Sequence, residues 1–258
     1  MATWMRKFIC ICLRVIQCRL LGQFVGYADY SLFTFYSGTD FLAVLVYIDD
    51  LVIAWNNTSR CTSFKSYLNS SFKIKDLGPL KFFLGIEITH TRIGLFLSQR
   101  KYTLEILEDC GLSAAKLTAF PIKQHHRLAS STTPVLSDPA CYRRLIGRLL
   151  YLTITRPELC YSVYLLAQFM HKPRESHWDA AIHVLHYLKH SPGQGIFLSR
   201  PTSLQLIDYC NSDWSGELIT SYVPTKFRLA DIFTKALGRD RFHFLLRKLG
   251  IRDLHALT

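Results

Sequence analysis

Phe41-Leu-Ala-Val-Leu-Val-Tyr-Ile-Asp-Asp-Leu-Val-Ile-Ala54 is the stretch on which the fold turns. Residues 41–47 are apolar and mostly β-favouring, with no helix signal, and predict a buried strand. Ile48-Asp49-Asp50 breaks the run and residues 51–54 resume it, which predicts a hairpin with two adjacent carboxylates at its bend. Such a pair repels itself unless a cation sits beside it. Mg²⁺ suits the position, because it takes one or two carboxylates, waters and substrate phosphates. Two such ions, about 3.5–4 Å apart, would serve an in-line phosphoryl displacement. A solvated turn is the competing reading, and these residues alone leave both open.

The flanking sequence extends the pattern. Residues 59–72 place Phe64, Leu68 and Phe72 four apart, a helical face. Residues 81–89 and 95–98 predict a second hairpin with Gly94 near its turn, and Ser98 stands as N-cap of a helix ending at Gly111. Residues 112–139, with Pro121, Pro134, Pro139 and the Ser130-Ser-Thr-Thr133 run, read as a linker. Helical spacing returns at residues 142–152, 157–170 and 175–189. Residues 195–198 and 204–210 read as short strands. Residues 224–258 read as two helices, with Thr225 as N-cap and Gly238 and Gly250 as stops.

At 258 residues, 49% hydrophobic and 19% charged, the composition is globular, with room for one large or two small domains. The net charge of +12 suits a polyanion such as nucleic acid, or serves solubility alone. It is spread out: residues 1–28 carry four basic residues and no acid, 29–139 eleven against ten, 140–190 seven against three, and 221–258 eight against three. The eight cysteines form no Cys-x-x-Cys pair, which favours free thiols in a reducing compartment. The N-terminal apolar run, residues 8–13, is too short to span a bilayer, and no membrane association is expected. Its acid-free, arginine-bearing start shares features with a mitochondrial transit peptide.

Tyr30-Ser-Leu-Phe33, Leu45-Val-Tyr-Ile-Asp-Asp-Leu51, Lys75-Asp-Leu-Gly78 and Phe83-Leu-Gly-Ile-Glu87 together resemble, in order and spacing, the palm of copia-type retrotransposon reverse transcriptases. The resemblance continues through Ser98-Gln-Arg-Lys-Tyr102, Tyr142-Arg-Arg-Leu-Ile-Gly-Arg-Leu-Leu-Tyr151, Thr155-Arg-Pro157 and residues 180–188. It ends in Val223-Pro-Thr225 and Leu229-Ala-Asp-Ile-Phe-Thr-Lys235, similar to the tail of the same polyprotein.

The resemblance implies an α+β chain. Residues 1–28 stay unassigned, 29–111 form the C-terminal part of the palm, and 112–139 link to a helical, thumb- or connection-like segment at 140–193. A truncated ribonuclease H remnant would occupy 194–222 and a helical tail 223–258. Asp49 would be a catalytic Mg²⁺ ligand and Asp50 its less essential neighbour; the hairpin at 82–98 would grip a primer. Tyr47, Arg100, Lys101, Arg143, Arg144 and Arg148 are the candidate contacts to an RNA or DNA primer–template.

Two departures from the family pattern bear on activity. The family's further catalytic carboxylate lies well upstream of the Asp-Asp bend, yet here Asp29 and Asp40 are the only acids before it, and Asp29 matches a later family segment. The expectation is a half-built metal site, inactive alone unless a second polymerase chain complements it. In residues 204–214, Asn211 stands where the ribonuclease H domain begins its acidic site, with Asp213 two residues on. Ribonuclease H activity is therefore expected to be absent, and the 204–210 strand to lack sheet partners. A non-catalytic nucleic-acid-binding module is the alternative. Asp179, His183, His186 and His190 share one helical face and admit either a transition-metal site or an ordinary polar face.

Overall fold

The computed structural model describes residues 31–48, 50–72, 74–112, 117–200, 224 and 228–253. The chain divides into two units, residues 1–80 and 81–258.

In the first unit, β1 (Leu32–Ser37), β2 (Asp40–Tyr47) and β3 (Asp50–Trp55) form an antiparallel meander in chain order. Helix α1 (Thr58–Ser71) follows, with the Asn57 side chain accepting from the Arg60 amide at 3.2 Å as N-cap. Leu42, Val44 and Val46 alternate inward from β2 and pack with Phe33, Phe64 and Leu68. The run at residues 41–47 is thus buried on one face only, since Phe41, Ala43 and Leu45 on the other face are half-covered. An apolar run marks a strand but does not state how many layers cover it.

In the second unit, β4 (Phe82–Phe83), β5 (Ile86–Thr91), β6 (Gly94–Ser98), β7 (Gln194–Ser199) and β8 (Ile251–Asp253) make one antiparallel sheet in that order. Its helices are α2 (Arg100–Asp109), α3 (Pro139–Leu152), α4 (Cys160–Ala167), α5 (Glu175–His190), α6 (Asp231–Thr234) and α7 (Arg239–Lys248). A 3₁₀ turn, Pro157–Leu159, leads into α4. One core joins these elements, with Ile106, Ile146, Leu149, Leu159, Val163, Leu166, Val184 and Leu185 almost wholly inaccessible.

Several boundaries differ from the sequence reading. Residues 194–199 pair with β6, from Gly94↔Ser199 to Leu97↔Ile196, so this strand has its partners within the hairpin sheet. The 204–210 strand and Asn211 lie outside the described residues. The supposed linker is a packed strap. Ile122 and Leu128 enter the core, Ser131 and Thr133 bond the Ser176 hydroxyl, and the Leu136 amide donates to the Pro173 carbonyl at 2.9 Å. Prolines remove amide donors without preventing burial of the side chains between them.

Pro139 begins α3 rather than ending the linker, behind Asp138, whose carboxylate accepts from the amides of Ala140 and Cys141 at 2.9 and 3.2 Å. Ser98 closes β6, and Gln99 is the residue before α2, which stops at Gly111 with φ +65° as the spacing predicts. In the tail, Gly238 precedes α7 as its N-cap instead of stopping a helix, and the chain after Gly250 returns to the sheet as β8. Thr225 lies outside the described residues.

Candidate nucleic-acid and metal site

The β2–β3 register pairs Val46 with Leu51 and Tyr47 with Asp50, with two residues between the paired ends, of which Ile48 is described. Ile48 carries φ +49°, the left-handed region that a β-branched residue seldom enters. Positive φ is what a two-residue hairpin of the favoured twist requires, so strand pairing outweighs the local preference of Ile48. Asp49 itself lies outside the described residues. Side chains alternate along a strand, so Tyr47 and Asp50 fall on the face with Phe41, Ala43 and Leu45, opposite to the face that packs on α1. Both are exposed.

Asp40 is not a third ligand for this turn. It sits at the other end of β2, about 23 Å from Tyr47 at 3.3 Å per residue. Its carboxylate is already engaged, with Asn57 Nδ2 at 3.1 Å and Arg60 Nε at 2.5 Å, and these bonds hold its pKa below the ordinary carboxylate value. Asp29 lies outside the described residues. Among the described residues, no three His, Cys, Asp or Glu side chains gather where they could hold a metal ion. Two Mg²⁺ ions need several anionic oxygens, and Asp50 is the one acid that the described part of this turn offers.

In the second unit the β4–β5 turn is Leu84-Gly85, with φ +48° and +76°. The Tyr151 hydroxyl of α3 donates to the Leu84 carbonyl, and a Cβ on Gly85 would approach that hydroxyl to 3.2 Å. Tyr151 thereby ties the helical layer to this turn. The sequence reading passed over it, because nothing in spacing links residues 84 and 151.

The basic candidates separate. Arg100 is exposed, and Lys101 lies 4.0 Å from Glu105. Tyr142 is buried, its hydroxyl donating to the Leu166 carbonyl at 2.8 Å and its pKa raised by burial, so it belongs to the core. Arg148 pairs with Asp109 at 2.5 Å and lies over the Tyr102 ring. Arg143 reaches the Met170 carbonyl at 3.4 Å, while Arg144 is exposed without a side-chain partner among the described residues. Asp179 is exposed and His183 packs against Phe120 at 5.8 Å, so the His-Asp face of α5 is not gathered into a metal site.

A buried polar knot lies behind α3 and β7. Arg156 Nε bonds Glu158 Oε1 at 2.6 Å, with side chains 1% and 0% exposed. Arg156 also donates to the Ser191 carbonyl at 2.9 Å, and Gln194 Nε2 donates to Glu158 at 3.0 Å and to the Tyr187 hydroxyl at 3.2 Å. Burial opposes the Arg156 charge, but the Glu158 carboxylate outweighs it and holds the guanidinium ionised. Arg156 and Glu158 thus join the loop after α3 to the end of α5 and the start of β7, while the Thr155 hydroxyl donates to Gln99 at 2.8 Å.

The described elements make a mixed chain of antiparallel sheets and helices, an α+β arrangement. The family model described as "Reverse transcriptase (RNA-dependent DNA polymerase)" matches residues 21–124. The chain is 39% identical over 198 residues to the retrovirus-related Pol polyprotein from transposon RE2 of Arabidopsis thaliana, covering 77% of this chain and 14% of that protein. It is 38% identical over 205 residues to the Pol polyprotein from transposon RE1 of the same plant, covering 80% and 14%. It is 35% identical over 186 residues to the uncharacterized mitochondrial protein AtMg00810 of Arabidopsis thaliana, covering 71% of this chain and 76% of that one. No solved structure matches. The chain belongs to the copia-type reverse transcriptase family and spans about 14% of the length of the Pol polyproteins it matches.

Proposed function

We propose that this chain supplies the carboxylate hairpin and the following hairpin-and-helix unit of a copia-type RNA-directed DNA polymerase, and that the 258-residue chain alone does not copy a template. The observation that carries the reading is the Tyr47↔Asp50 pair closing a two-residue turn on the open face of the first unit's sheet. Asp49 and Asp50 are the acids that would hold Mg²⁺, and Tyr47 would lie beside the primer end. The inactivity rests on the donor set: Asp40 is engaged elsewhere, and no group of three or more ligating side chains forms among the described residues.

Primer extension on an RNA template, with Mg²⁺ and deoxynucleotides, tests both parts. The chain alone incorporates nothing. Adding a polypeptide with the fingers and upstream palm strand of a copia-type enzyme restores incorporation, and Asp49→Asn removes it again. Unaided synthesis sensitive to Asp49→Asn would refute the inactivity; failure of every complementation would refute the polymerase reading. A binding module without chemistry is the second reading, favoured by the exposed Arg100 and Arg144. It predicts salt-dependent filter binding with no synthesis under any complementation.

A further inference from the structure

At the end of the second unit's sheet, the β5–β6 turn and the end of β7 border an open cleft of about 300 Å³. Its walls include Arg92 from the turn and Arg200 from the residue after β7, with Thr91 and Ser199 beside them and Leu95 and Leu198 as an apolar floor. Leu95 pairs with Leu198 across β6–β7, so the floor is set by strand register. The Arg200 amide donates to the Ile93 carbonyl at 2.8 Å, and Thr91 Oγ1 donates to the Gly94 carbonyl at 2.8 Å, which fixes both arginine backbones relative to the turn. Arg92 and Arg200 are exposed and have no side-chain partner among the described residues. No carboxylate lines the cavity.

Two exposed arginines lining one small cleft suit an anion, because each guanidinium offers a planar fork of donors matched to phosphate oxygens. The volume is at the low end for a ligand pocket, room for roughly one nucleotide unit rather than a folded partner. An apolar floor beneath the two cations suits a sugar or base edge next to a phosphate, and is wasted on a bare inorganic ion. We infer that Arg92 and Arg200 hold the phosphodiester backbone of a single-stranded nucleic acid, with one nucleoside resting on Leu95 and Leu198. The inference rests on the reading that this chain engages nucleic acid, and adds a contact that the Asp49-Asp50 turn and the helix arginines do not supply.

The test is fluorescence anisotropy of the full chain with a labelled twelve-nucleotide oligothymidylate, across a salt series. Single-strand affinity falls with salt by about 0.7 decade per phosphate contact, so losing two contacts weakens binding about 25-fold at 0.1 M salt and lowers the slope by about 1.4. Arg92→Ala/Arg200→Ala shows that loss with an unchanged thermal melt, since both side chains are exposed. Arg92→Lys/Arg200→Lys keeps most of the slope. Wild-type binding with an undiminished double variant overturns this site and leaves the broader reading standing, whereas no binding by the wild type overturns both. Displacement of the oligonucleotide by inorganic phosphate at equal concentration would make it a free-anion site, and equal displacement by polyglutamate an acidic-peptide site. Either result overturns the assignment.

Discussion

Tyr47 faces Asp50 across the last pair of the β2–β3 ladder, with Ile48 at φ +49° in the turn between them. A β-branched side chain in the left-handed region costs about 1–2 kcal/mol. Asn tolerates that region, so Ile48→Asn raises unfolding free energy by about 1 kcal/mol, read as a higher midpoint in urea. A lower midpoint would mean that the half-exposed Ile48 side chain stabilises the turn more than its backbone strains it.

Arg156 and Glu158 form the next test. Removing one partner of a buried, hydrogen-bonded ion pair leaves a stranded charge and costs about 3–5 kcal/mol. Glu158→Ala therefore destabilises the second unit by that order in a denaturant titration, because Arg156, Gln194 and Tyr187 all lose a partner. Arg156→Met/Glu158→Leu recovers most of the loss, and a double variant as unstable as the single one would contradict the account.

Gly94 and Gly195 permit the close packing of β6 on β7. A Cβ on Gly94 would lie 2.1 Å from the Leu198 carbonyl oxygen, and one on Gly195 would lie 2.1 Å from the Leu97 carbonyl oxygen. Alanine at either position forces the strands apart and costs about 3 kcal/mol or more, beyond ordinary overpacking. Hydrogen exchange should show β7 amides losing protection first. Gly38, where an added Cβ meets nothing within 4 Å, tests the contrast. Its φ of +60° limits the cost of Gly38→Ala to about 1 kcal/mol of backbone strain.

His183 gives a pH dependence. Burial, then the nearby Lys123 and His186 charges, depress its pKa below the ordinary imidazole value. A depressed folded-state pKa means that the unfolded chain binds the proton more readily, so stability is full above the unfolded value of about 6.5 and falls as pH drops through it. Thermal melts between pH 7.5 and 5 should decline, and His183→Gln should flatten the decline. An unchanged slope would assign it to other groups, such as His243, whose pKa burial also lowers.

Much of the first unit was legible because its signals are local. The apolar runs flanking Ile48-Asp49-Asp50 fix both arms of the hairpin, and Phe64 and Leu68 mark the face of α1 that is buried. The second unit hid its organisation in long-range pairing. Nothing in residues 194–199 announces that β6 is their neighbour, since an apolar strand is compatible with any open edge. The strap at 117–139 looked like a linker because proline and hydroxyl residues score as loop whether or not the loop is packed. Arg143, Arg144 and Arg148 read alike as candidate contacts on one helix, yet Arg148 is tied to Asp109 and Arg143 reaches the Met170 carbonyl. Arg92 and Arg200 stand far apart in sequence and meet only through the β6–β7 register.

That register also sets a timetable for synthesis. β6 ends at Ser98 and its partner begins at Gln194, so the ribosome must add the intervening stretch before the sheet can close. At 5–20 residues per second the wait is roughly 5–20 s. Throughout it, Leu95 and Leu97 sit on a naked strand edge, open to any passing chain. A nascent chain of this protein is therefore a natural client for chaperones that shield such edges until translation catches up.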